Sequence, residues 1–570
     1  MAGWLRSPIL ALVLVGLLAG CSPTAPQATT TGEGQPAKSA TPKRIVAAMG
    51  SEPSSVDLNV AAYAGFSNYT GIGVMVNSGL SIVSPQGNAV PQLAEGVPSI
   101  DNGLWKLLPD GRMETSWRIR PGAQWHDSVP FTSADIAFTY QVEEDREVGI
   151  FQQAAYSGID RVETPDASTV RVLWKRAYIY ADLSFGYNQD RSMLPLPKHL
   201  LEDAYKTDKA TFIDLPYWGA QFVGTGPYRI AQWVAGSHII AEANDHYVLG
   251  RPKIDVIEVR FIPDPNALIS NMLAGQVDVT LAPINLEQAR EVTSRLPGAQ
   301  MDLPFLGAVT AFPQFIGPNP AVVANPQFRR ALMYGSDRQQ MVETLTGGLS
   351  SVADTFLYPT DADFKDVESS IVKYDYDPRR AVQMIEGLGY TRGTDGTFHD
   401  ASGQPLSVEL RASSRSYVTS AEAIGGMWKQ IGVTGVPYQV PPQLDGDAAF
   451  NAEYPAFQVL ARGNYRWDLN RVLGTNQAPV PENRYFGGNR GRYQNGDLDA
   501  VIAKYDSTIP LVERNRYLAE IIHHVTDNLV LLTMYYNLNP AVYVARLHNV
   551  SSKWERSAHT WNVQDWEADY

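Results

Sequence analysis

Hydrophobic and polar positions follow three different patterns along this chain. Pro8 to Ala19 is an apolar run without a charge, preceded by Arg6. At 1.5 Å per residue, twelve residues cannot cross a bilayer core of about 30 Å, but they suit the central region of a signal peptide. Ser22 to Thr41 is Ser, Thr, Pro, Gln, Ala and Gly with one Glu and one Lys, and has no apolar period. Such a segment buries too little surface to offset its ordering entropy, so a flexible tether is expected over 21–42. From Lys43 onward, strand-like and helix-like patterns alternate. Strands are expected at Arg44–Ala48, Thr115–Ile119, Thr169–Trp174, Tyr228–Gln232, His238–Ala243, Ile257–Phe261, Val277–Leu281, Leu406–Arg411, Phe457–Ala461 and Leu529–Leu532. Helical spacing is found in Ile136–Val142, Pro265–Ala274, Pro326–Tyr334, Pro378–Glu386, Ala421–Gln430 and Leu511–Thr526. Alternation and clustering together predict a mixed α/β fold.

Composition narrows the function. The 570 residues carry 46 Lys+Arg against 60 Asp+Glu, a formal net charge of −14. An acidic chain without a basic block is a poor nucleic-acid binder, because phosphate contacts need clustered Lys or Arg. A single cysteine, Cys21, excludes a disulfide scaffold and cysteine-cluster metal sites. It follows Leu18-Ala19-Gly20 directly, and this junction resembles the lipobox of bacterial lipoproteins. The resemblance implies removal of residues 1–20, lipid on the Cys21 sulfur, and anchorage to a membrane surface outside the cytoplasm.

Residue patterns for catalysis are sparse. The sequence contains no Gly-x-x-x-x-Gly-Lys-Ser/Thr, no Gly-x-Ser-x-Gly and no His-Glu-x-x-His. Trp125-His126-Asp127 reads as a structural hydrogen-bonding pair in a turn. His523 and His524 are adjacent on a helix and point to different faces. Asp445 and Asp447 read as a solvated loop. Catalysis is therefore not expected, a hydrolase being kept as the runner-up class, and no metal or cofactor is assigned.

Five ordered segments carry a family resemblance. They are Ile45–Leu58 with Gly50-Ser51-Glu52-Pro53, and Leu93-Ala94-Glu95 through Trp117-Arg118-Ile119-Arg120-Pro121-Gly122 to Asp135 and Tyr140. Next comes Gly224-Thr225-Gly226-Pro227-Tyr228 through Ala274-Gly275-Gln276-Val277-Asp278. Phe328-Arg329-Arg330-Ala331-Leu332 and Tyr376-Asp377-Pro378-Arg379-Arg380-Ala381 complete the set. Together they resemble the extracellular solute-binding proteins of ABC importers, of the oligopeptide and dipeptide-binding (family 5) type. Most of these residues read as scaffold. Arg329 and Arg330, for example, are expected to pair acids from one helix.

The resemblance implies a two-lobed periplasmic-binding-protein-like fold with a hinge. Lobe 1 would span 43–305, with an inserted subdomain over about 81–205. Lobe 2 would span 306–532, and 533–570 would return to lobe 1. Hinge crossings are expected near Leu306–Phe315 and Leu531–Tyr536. Ligand would bind between the lobes and favour closure. Expected ligand contacts are Tyr63, Phe66 and Asn68 after the first strand. Arg415 and Tyr417 would contribute from the loop after Leu406–Arg411, and Asn464, Tyr465, Arg466, Trp467 and Asp468 from the segment after Phe457–Ala461. Aromatic rings supply area, and Arg and Asp fix charged termini. Peptide binders of this family carry a Gly-Trp-x-x-Asp-type segment whose Asp pairs with the peptide amine. Here Gly463-Asn464-Tyr465-Arg466-Trp467-Asp468 has shifted spacing. Asp468 either fills that role through a one-residue gap or aligns with a later Asp, leaving the clamp absent. The implied partners are a peptide, or an oligosaccharide or other solute, together with ABC permease and ATPase subunits. The protein is expected to act as a monomer.

Overall fold

Arg44–Met49 forms the central strand of a seven-stranded sheet, parallel to both neighbours and buried over most of its length. Burial on both faces explains why its sequence, Arg-Ile-Val-Ala-Ala-Met, is a continuous apolar run after the arginine. The sheet order is Gln300–Asp302, Ala541–Tyr543, Val279–Thr280, Arg44–Met49, Val256–Phe261, His238–Ala243 and Tyr228–Val234. A computed structural model describes residues 42–58, 60, 70–145, 147–148, 158–187, 194–281, 284–463, 465–550 and 558–570. Cys21, Tyr63, Phe66, Asn68 and Asn464 lie outside the described residues.

A second, five-stranded sheet runs Thr434–Gln439, Ser407–Ala412, Phe457–Arg462, Phe305–Pro313 and Leu532–Leu538. Helices Pro326–Tyr334, Pro378–Gly387 and Arg415–Gln430 share its core, which includes Phe328, Ile385, Trp428 and Phe457. The chain passes from the first sheet to the second through Leu303-Pro304 and back through Asn539-Pro540. The two passages touch: the Asn539 N–H donates to the Pro304 carbonyl at 2.9 Å. Most of the 306–315 span lies on Phe305–Pro313, and most of 531–536 lies on Leu532–Leu538, both inside the five-stranded sheet.

The segment between the first strand and Tyr228 carries a four-stranded antiparallel sheet, Trp105–Leu107, Met113–Arg118, Thr169–Trp174 and Ile159–Asp166. Thr169–Trp174 alternates with period two, burying Val170, Val172 and Trp174. These residues pack with Trp117, Trp125 and Ile136, the last on the helix Ser133–Glu144.

Several sequence expectations meet a different structure. Helix Arg415–Gln430 begins six residues before the apolar pattern at Ala421, so Arg415 and Tyr417 occupy its first turn and not a loop. The Ser414 side chain caps it by accepting from the Tyr417 N–H. Its first turn is polar, which hides the helical period. Leu529–Leu531 stays outside the strand, which starts at Leu532, and Leu529 takes a positive φ of 46°. Among the described residues, Arg329 pairs with no acid. It is buried and donates to the carbonyls of Leu529, Asn528 and Val323 at 3.0, 2.7 and 2.9 Å. The first two satisfy backbone acceptors just beyond the helix Leu511–Asp527, and the third satisfies one in the turn Ala321–Ala324 before its own helix. Arg330 does reach Asp527, at 2.9 Å.

His126 and Asp127 take separate partners. The His126 Nδ1 accepts from the Gly224 N–H at 3.1 Å, which leaves Nε2–H to donate to the Gly226 carbonyl at 3.0 Å. Burial pulls the imidazole pKa down to about 4, consistent with this neutral tautomer. Asp127 pairs instead with His199 at 2.7 Å. The glycines are required here: a Cβ on Gly224 would stand 2.0 Å from the Val76 carbonyl oxygen.

Candidate functional site

The segment after strand Phe457–Arg462 turns through a short 3-10 stretch, Tyr465–Asp468, into helix Leu469–Leu473. Asp468 is the N-cap of that helix, and its side chain accepts from the Arg471 N–H at 3.4 Å. Its carboxylate is thus oriented by a local structural task. Tyr465 and Trp467 are placed here by their backbone.

Arg466 sits at the centre of an ion-paired cluster. Its Nη1 donates to Asp363 Oδ1 at 2.9 Å, and both side chains are largely buried. Its carbonyl accepts from the Tyr180 hydroxyl at 2.6 Å. The Tyr180 and Tyr505 hydroxyls lie 3.3 Å apart. Burial works against the Arg466 charge, but Tyr505, Asp363 and Tyr180 outweigh it and hold the guanidinium above its ordinary value. The Tyr180 hydroxyl is pushed well up by burial.

Tyr180 comes from the region of the four-stranded sheet, whereas Arg466, Asp363 and Tyr505 follow the first passage. These groups therefore lie on a seam between two parts of the chain. One apolar core runs beneath it, joining Ile82, Ile179 and Leu183 to Leu498, Ile502 and Ile521. A cavity of about 210 Å³ opens on the seam, lined by Tyr180, Asp182, Asp363, Asp366, Arg466 and Arg514. Burial raises the Asp182 carboxyl to about 6, against the pull of Arg514 and Arg466. A second cavity, about 320 Å³, is lined by Arg176, Tyr178, Asp468, Asn470, Asp499 and Asp506.

The residues expected at the site therefore separate. Arg466 and Asp468 reach neighbouring cavities of the seam. Tyr417 lies beside the end of the same strand: burial raises its hydroxyl, opposed by the Ala461 backbone and the Arg462 charge. Arg415 is exposed on the first turn of its helix. Tyr180, Asp182, Asp363, Tyr505 and Arg514 are the seam residues that sequence reasoning missed. None stands in a local motif, and Asp363 is 103 positions from the arginine it pairs. Chemically, the seam offers hydroxyls, carboxylates and guanidinium groups that fix a charged or hydrogen-bonding ligand in place. Among the described residues, no three His, Cys, Asp or Glu side chains gather to hold a metal ion, and no helix is long and apolar enough to cross a membrane.

Residues 88–477 match the family described as bacterial extracellular solute-binding proteins, family 5 middle. The oligopeptide-binding protein AppA of Bacillus subtilis is 26% identical over 434 residues, covering 70% of this chain and 74% of that protein. The solved structure of Bacillus subtilis AppA with a nonapeptide superposes with a TM-score of 0.70 at 20% identity, covering 93% of this chain and 100% of that one. NikZ from Campylobacter jejuni, solved with Ni(L-His), gives a TM-score of 0.71 at 21% identity, covering 92% and 100%. At these identities the structural likeness establishes the fold: two lobes of mixed α/β structure.

Proposed function

The chain belongs to the bacterial extracellular solute-binding proteins of family 5, and from that premise we propose that it captures peptides between its lobes and delivers them to an ABC permease. The observation that carries this reading is the similarity to an oligopeptide-binding protein over 70% of the chain. The arrangement around Arg466 supports it, since hydroxyl and charged groups from two parts of the chain converge there.

In this reading, lobe 1 contains the seven-stranded sheet and the inserted four-stranded sheet, and lobe 2 contains the five-stranded sheet. The hinge is the hydrogen-bonded pair of passages at Leu303-Pro304 and Asn539-Pro540. Tyr63, Phe66 and Asn68 would face the ligand from lobe 1, and Tyr417 and the 464–468 segment from lobe 2. Lipid on Cys21 would hold the protein at the membrane surface, in reach of the permease.

The test is a melting scan of the full chain against peptide and oligosaccharide libraries. A ligand at a hundredfold its Kd stabilises the folded state by about 2.7 kcal/mol. Peptides are expected to raise Tm, and a set of silent peptides would reject the reading. A second reading, another solute on the same fold, is favoured by the capping role of Asp468, whose carboxylate already serves its own helix. Asp468→Ala separates the two. Loss of peptide affinity beyond the loss in stability supports the amine clamp, and unchanged affinity removes it.

A further inference from the structure

A groove of about 450 Å³ lies at the outer end of the seam, where residues 98–107 and 179–182 meet 509–514. Its walls are mainly apolar: Ile100, Trp105, Leu107, Ile179, Ile509 and Leu511. Ile100, Leu107 and Leu511 are exposed, as is Val512 next to Leu511 in sequence, so a third of the exposed large apolar side chains among the described residues stand at or beside this groove. Exposed apolar clusters of this kind mark binding surfaces. The volume falls in the range of small-ligand pockets, roughly 300–1,000 Å³.

One polar group is unaccounted for by the fold. Arg514 lines both this groove and the adjoining 210 Å³ cavity, yet among the described residues its guanidinium makes no hydrogen bond or ion pair. It stands in the first turn of helix Leu511–Asp527, whose N-cap is Pro510 and offers no side-chain cap. The unsatisfied N–H groups of that turn add to the positive potential. The other charged groups facing the space are Asp182 and Asp101 in the groove, and Arg466, Asp363 and Asp366 in the adjoining cavity. Arg466 is already paired with Asp363.

We propose that this groove is a second binding site, separate from the 463–468 segment, for a small amphipathic carboxylate. The ligand carboxylate pairs with Arg514, and its apolar body lies along Ile100, Leu107 and Leu511. The shared chemistry fits a medium-chain fatty acid or the free C-terminus of a hydrophobic peptide. Ionised Asp182 competes for Arg514 and repels the ligand, so binding tightens as Asp182 takes up a proton.

The test is calorimetric titration of the full chain with decanoate and, separately, with N-acetyl-leucyl-leucine. At least one is expected to bind saturably, tighter at pH 6.0 than at pH 7.5. Decanoate alone points to a lipid-derived ligand, and the blocked dipeptide alone to a peptide terminus. Arg514→Gln is expected to weaken binding about tenfold or more, as for loss of a charge-assisted pair. Leu107→Asp, at an exposed position, is expected to weaken it similarly without touching Arg514. Asp182→Asn should bind more tightly at pH 7.5 and flatten the pH dependence. The proposal is overturned if neither carboxylate binds, or if Arg514→Gln and Leu107→Asp both bind as wild type does.

Discussion

The two passages between the large sheets and the seam around Arg466 are built on opposite principles. At the passages the polar groups close on the backbone. Asn539 N–H meets the Pro304 carbonyl, the Gly307 N–H donates to the Tyr358 hydroxyl at 2.6 Å, and Tyr536 donates to the Leu357 carbonyl. Rings of Phe305, Tyr358 and Tyr536 pack around them, with Phe305 and Tyr536 centred 5.0 Å apart. At the seam the Tyr180 hydroxyl reaches the Arg466 carbonyl and lies 3.3 Å from the Tyr505 hydroxyl over a shared apolar core, and three cavities open between the two parts. Backbone hydrogen bonds with packed rings define a fixed path. Side-chain contacts over cavities leave room for a ligand and for relative movement.

The largest loss is expected where one side chain anchors backbone carbonyls in the part of the chain beyond the first passage. Arg329→Met deletes the donors for the Asn528 and Leu529 carbonyls, just beyond helix Leu511–Asp527, and for the Val323 carbonyl. The expected loss is about 3–5 kcal/mol, seen as a lower urea midpoint or as insoluble protein. A smaller loss, about 3 kcal/mol, is expected for Asp363→Ala, which leaves the Arg466 guanidinium buried without its carboxylate. If Asp363→Ala were the more damaging of the two, the ion pair at the seam would contribute more than the carbonyl anchor.

These same residues mark how far the sequence was legible. Strands such as Thr169–Trp174 were readable because one face is buried and the other is not. The sheet-to-sheet passages are two residues each and leave no periodic signal, so only their neighbourhood could be read. Arg466 and Asp468 were visible as chemistry next to a strand end. Their tasks were not: a cap depends on where the helix starts, and an ion pair depends on a partner far along the chain. Arg329 was legible as helical but not as a carbonyl anchor, because its partners are backbone groups that every residue carries.

Each region also holds one buried carboxyl whose titration can be compared. Asp302, one residue before the first passage, is raised by burial to about 7, and Asp182 at the seam to about 6. The ordinary value is 3.8, so the folded state keeps protons that the unfolded chain has released. Their contribution to stability is full below about pH 4 and is lost as pH rises, through about 6 for Asp182 and 7 for Asp302. Asp302→Asn and Asp182→Asn are expected to remove that part of the slope, on the order of 3 kcal/mol each, in melting curves taken from pH 4 to 8. Parallel slopes in variant and wild type would contradict the assignment.

The smallest effect is expected from Tyr180→Phe, which removes the hydroxyl that meets the Arg466 carbonyl across the seam. One hydrogen bond is worth about 1 kcal/mol, so under the proposed hinge opening the balance should shift about fivefold towards the open form. Small-angle scattering of the unliganded protein would report it as a larger radius of gyration. An unchanged radius would place this contact outside the opening movement.

The central claim, peptide capture between the lobes, is tested most directly by titrating the full chain with peptides of five to nine residues while recording heat and radius of gyration together. The account predicts saturable 1:1 binding with a contraction of the particle at the same peptide concentration. Peptides that give neither heat nor contraction, with a sugar or another solute giving both, would contradict it.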